Sequence, residues 1–149
     1  MRAVIQRVTE AEVQVNKQIV GKINKGLLIL LGVEKGDEKK DLKYMQDKIC
    51  NLRIFEDENE KMNLSLKDID GELLIVPQFT LYGDARKGRR PSFIKAESPE
   101  IAEEYYGKLI KNCKNCIKNV QGGSFGAGMK VHLINDGPVT ILLDSKKIF

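Results

Sequence analysis

The run Lys130-Val131-His132-Leu133-Ile134-Asn135-Asp136-Gly137-Pro138-Val139-Thr140-Ile141-Leu142-Leu143 decides how the chain closes its sheet. Residues 130–134 and 139–143 have the β-branched, apolar character of two short strands, and Asp136-Gly137 between them is the strongest short-range hairpin signal. One residue spoils that signal. In a two-residue turn centred on Asp136 and Gly137, the next amide closes the loop against the Asn135 carbonyl, and Pro138 has no amide hydrogen to give. Either a specialised backbone device or a wide structural loop must stand there. X-Pro bonds carry a small penalty for the cis form, and a cis Gly137-Pro138 peptide would aim both carbonyls where a trans hairpin cannot.

Outward from that pair, residues 2–8 and 11–15 alternate in the manner of strands and Ile19 to Ile23 is a third candidate. Gly26 then introduces the unbroken apolar run Leu27-Leu28-Ile29-Leu30-Leu31, which suits a central strand buried on both faces. Asp37 is placed to cap a helix whose apolar positions Leu42, Met45, Ile49 and Leu52 recur at helical spacing. Glu72 to Val76 reads as another strand, and Ser98-Pro99 opens a second helix that runs to about Asn115. Strands before and after two separated helices, without regular alternation, predict an α+β fold: a single domain over residues 1–149 with a largely antiparallel sheet curled toward a barrel.

The chain has 25 Lys+Arg against 21 Asp+Glu, a net charge of +4 that permits an anionic partner without demanding one. Three cysteines, widely placed except for Cys113-Lys114-Asn115-Cys116, argue against a secreted disulfide framework and for a reducing compartment. The polar start is no signal peptide and the longest apolar run, Leu27 to Leu31, cannot span a membrane, so a cytoplasmic location and no membrane partner are expected.

Chemistry-bearing motifs are few. Cys113 and Cys116 are better read as buried or half-buried thiols than as a redox couple or half a zinc site, because only Cys50 and the single His132 could complete a ligand set. The glycine-rich run Gly122 to Gly128 fails both phosphate-loop and dinucleotide fingerprints, since Met129 stands where a lysine is needed. It reads by default as a flexible or closely packed loop, with close backbone approach to a ligand as the sharper reading. Gly83 to Pro91 carries Arg86, Lys87, Arg89 and Arg90 within five positions, the best polyanion footprint in the chain, and Lys108, Lys111, Lys114 and Lys118 form a second stripe at helical spacing. Thr80 is the plausible hydroxyl nucleophile, but it has no base: His132 lies on a predicted strand as a structural imidazole. Neither a metal nor a cofactor is expected.

Asn135 to Thr140, Gln78-Phe79-Thr80-Leu81 and Ile5-Gln6-Arg7-Val8 together resemble the bacterial-type D-aminoacyl-tRNA deacylases, also called D-tyrosyl-tRNA deacylases. The resemblance runs end to end through Asn51 to Phe55, Lys61 to Leu64 and Arg89 to Phe93. It implies a homodimeric hydrolase that cleaves the ester of D-aminoacyl-tRNA, and of mischarged glycyl-tRNA(Ala), whose missing side chain gives a chiral filter nothing to reject. It also implies a cis Gly137-Pro138 peptide, reaching from one subunit into the partner's pocket, whose carbonyls exclude L-aminoacyl groups, with Arg7 holding that loop. Gln78, Phe79 and Thr80 would line the ester site, Phe125 and Met129 would enclose the terminal adenosine, and Arg86, Lys87, Arg89 and Arg90 would face tRNA phosphate. The family's reaction relies on the substrate's own ribose 2′-hydroxyl, with backbone donors for the oxyanion, which accounts for the missing base.

One position departs from the family pattern: Pro77 stands where a serine usually precedes Gln78, removing a hydroxyl and a backbone donor worth on the order of 1 kcal/mol. The resemblance thus implies an aminoacyl-tRNA partner and no DNA. A different class stays in view, a non-catalytic tRNA-binding or RNA-binding module built on the Arg86 to Arg90 loop, as does hydrolysis of a small ester by Thr80.

Overall fold

A 14-residue strand, β1 (Arg2–Val15), organises the molecule, which a computed structural model describes over all residues 1–149. Its first half pairs antiparallel with β3 (Gly26–Gly32) and its second half with β2 (Gln18–Ile23), while its other edge pairs antiparallel with β8 (Lys130–Asp144) along the whole length. The two predicted strands at residues 2–8 and 11–15 are therefore one continuous strand. The hairpin expected around Gly137 does not exist either. Residues 130–135 and 140–144 pair with β1, not with each other, and Asp136 to Val139 bulge out opposite the single residue Arg7.

Beyond β3 the sheet turns parallel. β6 (Glu72–Pro77) lies parallel to β3, and β7 (Val120–Gly122) lies parallel to β6, so the antiparallel expectation holds for the β1 pairings and fails for these two. Each parallel step needs a long connection. α1 (Lys39–Asn51), with the small β4 (Phe55–Glu56) and β5 (Met62–Leu64) ladder, supplies the first, and α2 (Pro99–Cys113) the second.

Side-chain alternation on these strands divides the interior in two. Ala3, Ile5, Leu27, Ile29, Leu73 and Ile75 face the helices, where Leu42, Met45, Ile49 and Leu109 complete the main core. Leu28, Leu74 and Val76 face the other way, against Val8, Ala11, Val13 and Ile23, because the far half of β1 and β2 curl back over the sheet. Burying each such aliphatic side chain contributes about 1.5–3 kcal/mol. Gly21 of β2 completes the near-closure: a Cβ there would stand 2.6 Å from the Gly122 carbonyl oxygen of β7.

The cap of α1 and the end of α2 lie one or two residues from their expected places. Glu38, not Asp37, precedes α1, and its N–H donates to the Asp41 carboxylate at 2.8 Å, while Asp37 accepts from the Glu34 N–H at 2.7 Å within its own turn. α2 begins at Pro99 as expected and ends at Cys113, short of Asn115. The thiol expectation for Cys113 and Cys116 holds for Cys113 and not for Cys116, which is paired with Cys50 at the end of α1, with Cα atoms 6.9 Å apart. Cys113 alone is a free thiol, and burial pushes it up to about 12. No helix is long and apolar enough to cross a membrane.

Gly21→Ala forces its new methyl against a backbone oxygen that has no side-chain freedom to yield. The variant is expected to lose about 1–3 kcal/mol of stability, read as a lower urea midpoint at unchanged m. An unchanged midpoint would show that β2 and β7 separate without cost.

Candidate active site

β3, β6 and β7 run parallel, and the chain leaves all three at the same end. A cavity of about 490 Å³ opens there. Val33 beyond β3, Pro77 to Phe79 at the end of β6, and Phe125 and Met129 beyond β7 form its walls. Pro99 and Ala102 of α2 close one side, and Glu97 is the single ionisable residue in the lining. Four of the predicted site residues, Gln78, Phe79, Phe125 and Met129, are thereby brought together from two distant segments.

Thr80 lies just beyond β6 in a short 3₁₀ turn, Phe79–Tyr82. Gln78 leaves β6 with its N–H bonded to the Leu31 carbonyl at 2.7 Å, and its side-chain amide donates to the Thr80 hydroxyl. The first closed turn joins the Leu81 N–H to the Gln78 carbonyl at 3.3 Å. The amides of Phe79 and Thr80 precede it, in the place where a helical turn leaves its first donors unpaired. Pro77 costs the sheet nothing, because the alternation that points the Gln78 N–H at β3 turns position 77 toward β7, whose pairing has already stopped at Ile75. No base stands beside Thr80. His132 is exposed on β8, in a separate depression with Glu10, Glu12 and Lys22.

The glycine run is closely packed at its start, whereas Gly126 and Gly128 have open space around them. A Cβ on Gly122 would meet the Tyr106 hydroxyl oxygen at 2.6 Å, and one on Gly123 would meet the Met129 sulfur at 2.8 Å and the Pro77 ring at 3.4 Å. Tyr106 donates its hydroxyl to the Ile75 carbonyl at 2.8 Å, and its ring packs on Phe125 with centroids 6.0 Å apart. Burial pushes the Tyr106 phenol up to about 12, so it stays a neutral donor through the physiological range.

Arg7 lies apart from this cavity within the protomer. Its Nε donates to the Asp136 carbonyl at 3.1 Å and its Nη1 to the Ile54 carbonyl at 2.8 Å, with the carboxylates of Asp136 and Glu56 at 3.6 and 3.8 Å. The guanidinium is almost wholly buried, whereas Gly137 and Pro138 are exposed. Their peptide bond is cis, and Gly137 has φ +124°, a value open to glycine and hostile to other residues. Since Pro138 cannot close the bulge, the Val139 N–H donates instead to the Asn135 side-chain oxygen at 3.0 Å, and Asn135 also donates to the Thr140 hydroxyl at 3.0 Å.

The basic loop is tethered next to the cavity by the Asp84–Ser92 bridge and by Phe93, packed edge-on against Phe79 with centroids 5.1 Å apart. Arg86 is not free, because Asp84 holds it through two bonds of 2.9 and 2.6 Å and is itself held well below the usual carboxylate range by them. Lys87, Arg89 and Arg90 are exposed and in no ion pair. The helical lysine stripe is weaker than its spacing suggests, since Lys108 pairs with Glu104 and Lys118 with Asp70. Sequence reasoning missed Glu97, Ala102 and Val33. Only the Ser98-Pro99 helix start lay close enough in sequence to mark the first two.

Comparison with known proteins gives the family of the chain. The sequence profile described as D-Tyr-tRNA(Tyr) deacylase matches residues 4–144. Proteins named D-aminoacyl-tRNA deacylase from Thermosipho africanus and Clostridium kluyveri are 63% and 60% identical over the full length of both chains. A solved structure described as c-Myc DNA Unwinding Element Binding Protein superposes with TM-score 0.92 at 42% identity, covering 97% of this chain and 98% of that one. One described as a probable eukaryotic D-amino acid tRNA deacylase shares the fold, with TM-score 0.82 at 17% identity over 95% of this chain and 97% of the other. The chain belongs to the D-Tyr-tRNA(Tyr) deacylase family.

Arg7→Lys keeps the charge but loses the fork that bonds two carbonyls at once. It is expected to cost about 1–3 kcal/mol by leaving a buried carbonyl unpaired, and to make residues 135–139 the first site of proteolytic cleavage. Wild-type stability with an uncut bulge would show that Arg7 does not hold it.

Proposed function

We propose that this chain, an aminoacyl-tRNA hydrolase of its family, binds the 3′ end of a D-aminoacyl-tRNA in the 490 Å³ cavity and hydrolyses its ester to free tRNA and D-amino acid. The observation that carries the proposal is the convergence of Gln78, Phe79, Phe125 and Met129 on one cavity, with no histidine or paired carboxylate near it. A site so poor in acid–base groups suits chemistry in which the substrate's ribose 2′-hydroxyl assists and the protein positions the ester. The unpaired amides of Phe79 and Thr80 are placed as donors to the oxyanion, and Gln78 fixes the Thr80 hydroxyl. Phe125 and Met129 pack against the terminal adenosine.

Selectivity against L-aminoacyl groups comes, in this reading, from the Gly137 and Pro138 carbonyls of a second subunit. Within one protomer these two residues are exposed and outside the cavity lining, which supports a site completed by the second subunit of a homodimer. Arg7 holds the bulge that presents them. A filter of backbone carbonyls excludes a side chain in the L position and ignores its absence, so glycyl-tRNA(Ala) is a substrate as well. Lys87, Arg89 and Arg90 meet tRNA phosphate, with Arg86 braced on Asp84. The work belongs to the cytoplasm, where aminoacylated tRNA is made.

Single-turnover deacylation of D-tyrosyl-tRNA and L-tyrosyl-tRNA, each with and without the terminal 2′-hydroxyl, tests this function. Loss of the D ester alone, dependent on that hydroxyl, is expected. Thr80→Ala should retain measurable turnover because the hydroxyl positions and does not attack. Binding of tRNA without loss of either ester would establish the non-catalytic module instead. Arg89→Ala should lower the salt slope of tRNA binding by about 1, and Arg86→Ala by less, because Asp84 already engages that guanidinium.

A further inference from the structure

We propose that Glu97 is a specificity-determining residue that accepts a hydrogen bond from an N–H group of the bound aminoacyl-adenosine. The inference rests on the cavity reading above. Glu97 is the single ionisable residue of a lining otherwise made of apolar side chains, backbone and one glutamine. Its position is fixed three ways. Its own N–H donates to the Val33 carbonyl at 3.0 Å, the neighbouring Lys35–Lys95 bond of 3.0 Å pins the segment before it, and its Oε1 accepts the Ser98 N–H at 2.7 Å. Oε2 of this half-buried side chain has no hydrogen-bond partner within the protein, and the carboxylate is in no ion pair.

A carboxylate residue in the wall of a cavity that receives the end of a polyanion is unfavourable unless something offsets it. The 3′-terminal aminoacyl-adenosine carries two donors able to do so, the α-ammonium of the amino acid and the exocyclic amine of adenine. Both are N–H donors that an apolar wall would otherwise strip of water, and a charged acceptor is the strongest available partner for either. Glu97 therefore makes the site selective for a terminus that carries that donor, and hostile to one in which it is blocked or absent.

The test uses calorimetric binding, so it does not depend on turnover. The ligands are 3′-deoxy-3′-(D-tyrosylamino)adenosine, its Nα-acetyl derivative, and the corresponding purine riboside that lacks the exocyclic amine. Each is titrated into the wild-type protein and into Glu97→Gln, which keeps an oxygen for the Ser98 N–H; a thermal melt checks its fold. The parent ligand should bind Glu97→Gln roughly 10- to 100-fold more weakly. If the α-ammonium is the partner, acetylation weakens wild-type binding and has little further effect on the variant. If the exocyclic amine is the partner, the purine riboside shows that pattern instead. Equal losses in both proteins for both modifications, with the parent ligand still binding the wild type, would overturn the role of Glu97 and leave the proposed function standing. Failure of the parent ligand to bind the wild type would overturn both.

Discussion

The guanidinium of Arg7 occupies the wider of the two breaks in the long pairing of β1 and β8, and the bulge there depends on it. A bulge of four residues against one strips several backbone groups of their ladder partners. Arg7 supplies one of the replacements, bonding the Asp136 carbonyl, and anchors the bulge to the rest of the fold by bonding the Ile54 carbonyl from the same rigid fork. Asn135 supplies another through the Val139 N–H. The result is a short segment held firmly at its base, with Gly137 and Pro138 projecting to solvent. A buried arginine is costly to desolvate, so its partners must be well made. Here they are carbonyls and two carboxylates at the limit of ion-pair distance.

The cavity has a different origin. Parallel strands end together, and the loops leaving their carboxyl ends enclose a crevice of the kind in which parallel sheets commonly hold ligands. β3, β6 and β7 deliver Val33, Gln78 and Phe125 to that end, and the start of α2 covers it. Tyr106 links this wall to the core by holding the β6 backbone at Ile75 and packing on Phe125. The protomer therefore carries two features that do not meet: the recess at the ends of β3, β6 and β7, and the exposed Gly137-Pro138 projection. A two-fold partner joins them if each projection enters the other's recess, which is the arrangement proposed for the homodimer.

Much of this was legible in the residues. The unbroken run Leu27 to Leu31 marked a strand buried on both faces, and its side chains do divide between two cores. The spacing of Leu42, Met45 and Ile49 marked α1, and Ser98-Pro99 the start of α2. The hairpin misreading around Gly137 has a simple cause: local turn chemistry cannot reveal that both flanking runs prefer a third strand 130 residues away in the chain, although Pro138 correctly signalled that the ordinary turn was impossible. The parallel pairings were hidden because a continuous apolar run has no period that separates parallel from antiparallel neighbours. Cys50 and Cys116 likewise meet through the packing of α1 against the chain beyond α2, which no spacing rule encodes. The pocket pairing of Gln78 with Phe125 was reached through family likeness, while Glu97 had only the adjacent Ser98-Pro99 helix start to mark it.

The most direct test of the central claim, that an Arg7-held bulge reads chirality across the dimer, is the ratio of D- to L-tyrosyl-tRNA deacylation rates in Gly137→Ala, with dimer mass verified by sedimentation. A Cβ at this position, where φ is +124°, would stand 3.0 Å from Arg7 Nη2 and 2.7 Å from the Val139 side chain, so the projecting carbonyls must move. The account predicts an intact dimer that still cleaves the D ester and now cleaves the L ester, collapsing the ratio. An unchanged ratio in an intact dimer would contradict it.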